Sequence, residues 1–255
     1  MIKRVALLLV ILVSSLSSPV LAADPGSGVI DVRLVHGSAG GGSVAGQMVT
    51  LTAYFNQVET ANSSVKTGAD GKFVFKGLST APGNAYQVTL KYQEADYIGE
   101  LLILADNETA KSTTLTVYDS TGSDSAISIT AIITIISPVN GGLDVTEHIK
   151  FNNDSDRSYI GSGEITPTGG RQTLKLPLPA EATNLRYLGG LVASRVLPEV
   201  NGLVDTMAVL PGDTLITYSY QVEANAGSYK FSQEFAYPIA SYNLLVQGEN
   251  TGAAS

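Results

Sequence analysis

Apolar side chains recur at every second position over short runs along most of this chain, and Gly, Asp, Asn and Ser punctuate the runs. On an extended backbone successive side chains point to opposite faces, so each run predicts a half-buried β-strand. In "GVIDVRLVH", Ile30, Val32 and Leu34 share one face and Asp31 and Arg33 the other. "VAGQMVTLTAYF" sets Val49, Leu51, Ala53 and Phe55 in one register. "TGADGKFVFKGL" places Asp70-Gly71, a strong hairpin signal, ahead of Phe73 and Phe75. "AYQVTLKY" and "STTLTVY" complete a first unit ending near Tyr118, followed by the polar segment "DSTGSDSA". Beyond it, "AISITAIITIIS" reads as a buried strand, too short and too Thr-rich to cross a bilayer. "LDVTEHIKF", "RQTLKLPLP", "DTLITYSYQV", "YKFSQEFAY" and "SYNLLVQ" all alternate again. The expected fold is all-β, with two consecutive antiparallel β-sandwich domains over residues 24–118 and 127–248, a linker at 119–126 and a flexible tail at 249–255.

The N-terminus departs from this pattern. Lys3 and Arg4 precede an apolar run from Val5 to Val13, then serines and the small residues Val20 and Ala22, the form of a secretory signal peptide over residues 1–22. Export is therefore expected, to an extracellular, cell-surface or periplasmic location, with no membrane span once the leader is cut. With no cysteine, the mature chain relies on packing alone. The formal charge is −8, and loss of Lys3 and Arg4 takes it to −10. Such a surface repels phosphate backbones and anionic lipid heads, so nucleic acid is not an expected partner.

The order "GVIDVRL", "VAGQMVTLTAY", "TGADGKFVFKGL", "AYQVTLKYQEADYIG", with its T-x-x-D-G-x-F-x-F-x-x-L stretch from Thr67 to Leu78, resembles the carboxypeptidase regulatory-like family of prealbumin-like β-sandwiches over about residues 28–118. The resemblance implies a seven-stranded sandwich that serves as a spacer or binding module and has no active site. "GSAGGGS" is longer and richer in glycine than the usual connection there. The second half is expected to be prealbumin-like or Ig-like and resembles, more distantly, β-rich regions of prokaryotic surface proteins.

Chemistry-bearing residues are sparse. Asp70 and Gly71 read as a turn, the carboxylate bonding nearby backbone N–H groups while Gly71 takes positive φ. Asn152, Asn153, Asp154 and Asp156 cluster in "NNDSDRS"; calcium would ask for six to eight oxygens and a bidentate Glu, so the simpler reading is a polar loop, with Asn153, Asp154, Asp156 and Tyr159 a possible recognition surface. "GGGSVA" at 40–45 has dinucleotide-type glycines but is followed by a strand pattern instead of the helix such a site needs. Ser63 and Lys66 form S-x-x-K without a helix to present them. His36 and His148 lie in different halves with no metal-ligand spacing around them, and no G-x-S-x-G elbow supports a Ser-His-Asp arrangement. Glu147 falls in the buried register of Val145 and Ile149, which suggests a bulge or sheet edge, or a carboxylate assisting a Lys-Asn isopeptide bond. Asn62, Asn107 and Asn153 head N-x-S/T triplets in stretches read as polar loops. No catalytic residue, cofactor or metal is assigned. The expected role is a noncatalytic exported spacer and recognition module for an envelope or extracellular protein or glycan; the alternative is a small extracellular hydrolase or accessory subunit acting on polymers such as glycans.

Overall fold

Strands make up almost all the regular structure of residues 26–139, 141–223 and 231–248, the residues described by this computed structural model. The one other element among them is a 3-10 turn at Ala193–Arg195. The protein is all-β. The expected leader over residues 1–22 and tail over 249–255 lie outside the described residues.

Seven strands surround a first core: β1 (Gly28–His36), β2 (Met48–Phe55), β3 (Val58–Lys66), β4 (Lys72–Leu78), β5 (Asn84–Tyr92), β6 (Ala95–Leu102) and β7 (Ala110–Val117). They form sheets of order β4-β1-β7 and β3-β2-β5-β6. The alternation read from the sequence is what fills the space between them. Ile30, Val32 and Leu34 from β1, Phe73 and Phe75 from β4, Val49 and Leu51 from β2, and Val88 and Leu90 from β5 are all buried. Each such side chain contributes about 1.5–3 kcal/mol when fully buried.

The second core is built from β9 (Ile127–Val139), β10 (Gly142–Asn153), β12 (Lys175–Pro177), β13 (Thr183–Gly189), β14 (Val196–Glu199), β15 (Gly202–Asp205), β16 (Gly212–Glu223) and β17 (Tyr242–Val246), with two short strands, β8 (Ser120–Thr121) and β11 (Ser158–Tyr159), lying nearby. A five-stranded sheet of order β13-β16-β10-β9-β17 stands against the small sheet β12-β15-β14. Ile132, Val145, Ile149, Phe151, Ile216 and Tyr218 from the large sheet are fully buried, with Leu174, Leu176 and Leu203 opposite.

Several expectations are corrected. Asp70-Gly71 does not close a hairpin: β3 pairs with β2 and β4 with β1, so the turn carries the chain from one sheet to the other. "GSAGGGS" makes the same crossing between β1 and β2. β3 has no counterpart in the sequence reading. Phe55, beyond a bulge at Ala53/Tyr54, is 48% exposed. "YKFSQEFAY" forms no strand over its described residues 231–237. "SYNLLVQ" does, but all of β17 is exposed, because it lies at a sheet edge. The pairing is not wholly antiparallel either: β1–β7, β8–β11 and β9–β17 run parallel.

Candidate functional site

The segment expected to be a linker is built into a junction between the two cores. Ser120 and Thr121 pair with Ser158 and Tyr159. Asp119 Oδ1 accepts a hydrogen bond from Gln93 Nε2 at 2.8 Å and lies 3.3 Å from His36 Nε2. Ser38 Oγ donates to Asp156 O (2.5 Å) and accepts from Asp119 N (2.9 Å). Tyr97 hydroxyl meets Ser158 Oγ at 2.8 Å in buried surroundings. Two arginines of the second half grip the β5–β6 hairpin: Arg171 pairs with Glu94 in its turn, and Arg195 with Asp96 at the start of β6 at 3.4 Å. Ile160, Ala208 and Leu210 pack against the first core. Beside Arg195, Asp205 is 3% exposed and accepts from Met207 N at 3.0 Å. Burial pushes its carboxyl up to about 6, against the lowering influence of the backbone N–H groups of Met207 and Thr206 and of the Arg195 charge.

This junction brings a serine, a histidine and an aspartate together, but not as a nucleophilic relay. Asp119 contacts His36 through Nε2, while Nδ1 accepts from the backbone N–H of Ser38 (3.2 Å). The Ser38 hydroxyl, which a nucleophile would aim at an imidazole nitrogen, is committed to backbone groups.

The residues read as a recognition or calcium loop point in different directions. Asn153 is 2% exposed; its Nδ2 donates to Arg157 O (2.8 Å) and Val209 O (2.9 Å), and its Oδ1 accepts from Ser155 Oγ (2.7 Å). It organises the turn from inside, and as a glycosylation acceptor it is out of reach. Tyr159 is also buried, Asn152 donates to Asp213, and Asp156 Oδ2 accepts from Ala39 N at 2.7 Å. Only Asp154 is left exposed and without such a role. The loop thus faces "GSAGGGS" of the other half. Among the described residues no group of three or more His, Cys, Asp and Glu is placed to hold a metal ion.

The remaining candidates are scattered. Asp70 Oδ1 accepts from Lys72 N at 3.1 Å, and Gly71 has φ 72°. Ser63 and Lys66 lie three apart on β3, hence on opposite faces. No helix follows residues 40–45. Asn62 is exposed on β3, not in a loop, and Asn107 is exposed in the turn before β7. His148 Nδ1 meets Thr217 Oγ1 across the sheet at 3.1 Å.

Glu147 is neither at a bulge nor at an edge. It is fully buried in β10, central in the five-stranded sheet, and the register shift lies elsewhere, at Lys150/Phe151. Thr134 Oγ1 donates to its Oε2 at 2.7 Å, and Gln233 Nε2 and Tyr220 hydroxyl donate to Oε1 at 2.7 and 3.3 Å. Burial raises its carboxyl above the usual range despite these donors. Neither lysine nor asparagine is among these partners, so the isopeptide arrangement is absent from the described residues around Glu147.

Gln233 also lines a cleft of about 550 Å³ that the sequence reading missed. Its walls come from residues 175–181, the β14–β15 turn at 199–203, and residues 232–236. Lys175, Glu181, Glu199, Asn201 and Glu234 bring charge and amide groups to it, and Phe235 an aromatic ring. Three segments so distant in sequence leave no local motif. Among the described residues no helix is long and apolar enough to cross a membrane.

The fold places the chain among all-β proteins of packed sheets. No protein-family model matches the sequence, and no curated protein is similar to it.

Proposed function

We propose that this is a noncatalytic exported or cell-surface protein in which the first half, a carboxypeptidase regulatory-like module, is a spacer and the second half recognises a glycan of the envelope or extracellular matrix. The cleft lined by Lys175, Glu199, Asn201, Glu234 and Phe235 carries the reading. Its volume suits one or two sugar rings, and carboxylates and an amide beside one aromatic ring are the groups that hydroxyls and an apolar sugar face need. The polar junction supports the spacer role, since it holds the halves by more than a tether.

A glycan array probed with mature protein, run beside a broad hydrolase screen, tests this. Saturable binding that weakens at least tenfold in Asn201→Ala or Phe235→Ala, without turnover, is the expected result. Turnover abolished by replacing one cleft carboxylate would favour the hydrolase alternative, and an array with no saturable ligand would remove the glycan reading.

A further inference from the structure

A hydroxyl and a carboxamide from opposite ends of the second half meet on one buried carboxylate. Thr134, in the first strand of that core, and Gln233, shortly before its last, each donate to Glu147 at 2.7 Å, one to either oxygen. Thr134 and Glu147 are fully buried. Tyr220 hydroxyl lies 3.3 Å from both Glu147 Oε1 and Gln233 Nε2. Among the described residues the Gln233 Oε1 atom is buried with no hydrogen-bond partner. Support of the sheet alone does not explain this group, because apolar residues fill such a position at lower cost than a carboxylate and a half-satisfied amide. What the arrangement does provide is a proton carrier in contact with both a nucleophile and the nitrogen of an acyl group, held in register by the fold. Desolvation increases the affinity of Glu147 for a proton, as that task requires.

We propose that Thr134 and Gln233 become joined by an intramolecular ester bond that the folded protein forms by itself, with Glu147 as the proton carrier. Thr134 Oγ attacks Gln233 Cδ, and its proton passes to Glu147 Oε2. The tetrahedral intermediate then collapses with cleavage of the Cδ–Nε2 bond, and the Glu147 carboxyl returns the proton to the departing nitrogen. The hydroxyl hydrogen and the amide NH₂ leave as ammonia, so atoms and charge balance without an oxidant, cofactor or second substrate. The cleft lined by Ser232, Gln233 and Phe235 gives ammonia a way out. Thr134, which supplies the ester oxygen of the product, is fully buried.

Intact-mass measurement of the purified full chain decides the matter. The folded protein should weigh about 17 Da less than its processed sequence, the mass of one ammonia. Trypsin sites at Lys111, Lys150 and Lys230 put Thr134 and Gln233 in separate peptides, which should stay linked until hydroxylamine cleaves the ester. Thr134→Val and Glu147→Gln should restore the full mass and release both peptides, whereas Thr134→Ser, which keeps a hydroxyl, should retain the link. Wild-type protein with a strand-rich circular dichroism spectrum, full mass and separate peptides would overturn the proposal. So would a loss of ammonia that persists in Thr134→Val, which would place the chemistry elsewhere.

Discussion

Replacing Asp205 with Asn should make the stability of this protein less sensitive to pH in a way that can be calculated. Asp205 is 3% exposed, and its carboxyl is raised from 3.8 to about 6. As pH rises, the unfolded chain gives up this proton first, and the folded chain must either hold it or place a charge in a poorly solvated site. The contribution is therefore absent below about pH 4, grows through the interval up to about pH 6, and remains as a constant cost above it. At about 1.4 kcal/mol for each tenfold change in proton affinity, the full cost is about 3 kcal/mol. About 2 kcal/mol of that develops between pH 4.5 and pH 7.5. Asn keeps the shape of the side chain and an oxygen to accept the Met207 N–H, and it does not titrate. Urea unfolding of both proteins at the two pH values should show wild type losing about 2 kcal/mol relative to Asp205→Asn as pH rises. The opposing possibility is that Arg195, close enough to lower this pKa, holds the carboxylate ionised throughout. A wild type that gains on the variant with rising pH, or a difference that does not change, would refute the argument from desolvation.

Gly71→Val should cost about 2–4 kcal/mol, because φ is 72° and an added Cβ would stand 2.5 Å from Leu34 O, whereas Gly40→Val, at φ 71° in open space, should cost only about 1 kcal/mol; equal losses in thermal or chemical unfolding would contradict this account of the turn. Residues 122–125 are exposed, so a protease specific for acidic residues should cut first at Asp124, yet the two fragments should co-elute in size-exclusion chromatography until Arg195→Ala and Tyr97→Phe loosen the junction. Immediate separation of the wild-type fragments would mean that the junction contributes little.

Where a strand buries one face, its alternation made it legible: Ile30, Val32 and Leu34 or Val145, Ile149 and Phe151 could be assigned inward from the sequence alone. β3 could not, because all but one of its nine residues are exposed and no apolar rhythm marks it. The turns were misread for a related reason. Asp70-Gly71 carries the usual hairpin residues but crosses between sheets, while the two-residue hairpins of the first half use Asn56-Gln57 and Gln93-Glu94, which take positive φ without glycine. Their conformation is imposed by the strands they join. Glu147 stood out as a carboxylate in an apolar register, but its partners come from β9, β16 and the irregular segment at 231–237, and no spacing in the sequence links them. The polar loop at 152–159 looked like a surface and proved to be a joint, since its chemistry is directed at residues 38 and 39 of the other half.

Each core is closed by pairing its first strand with its last in parallel: β1 with β7 over eight register positions, β9 with β17 over five. In a parallel pair the free N-terminal end of one strand and the free C-terminal end of the other lie at opposite ends of the ladder. A pull on the two ends of either half would therefore slide these strands lengthwise, loading the cross-strand bonds together in shear rather than parting them one by one like a zipper. Resistance to such a pull depends on the rate of unfolding and not on equilibrium stability. Under such a pull the bonds of each ladder share the load, across eight register positions in the first half and five in the second.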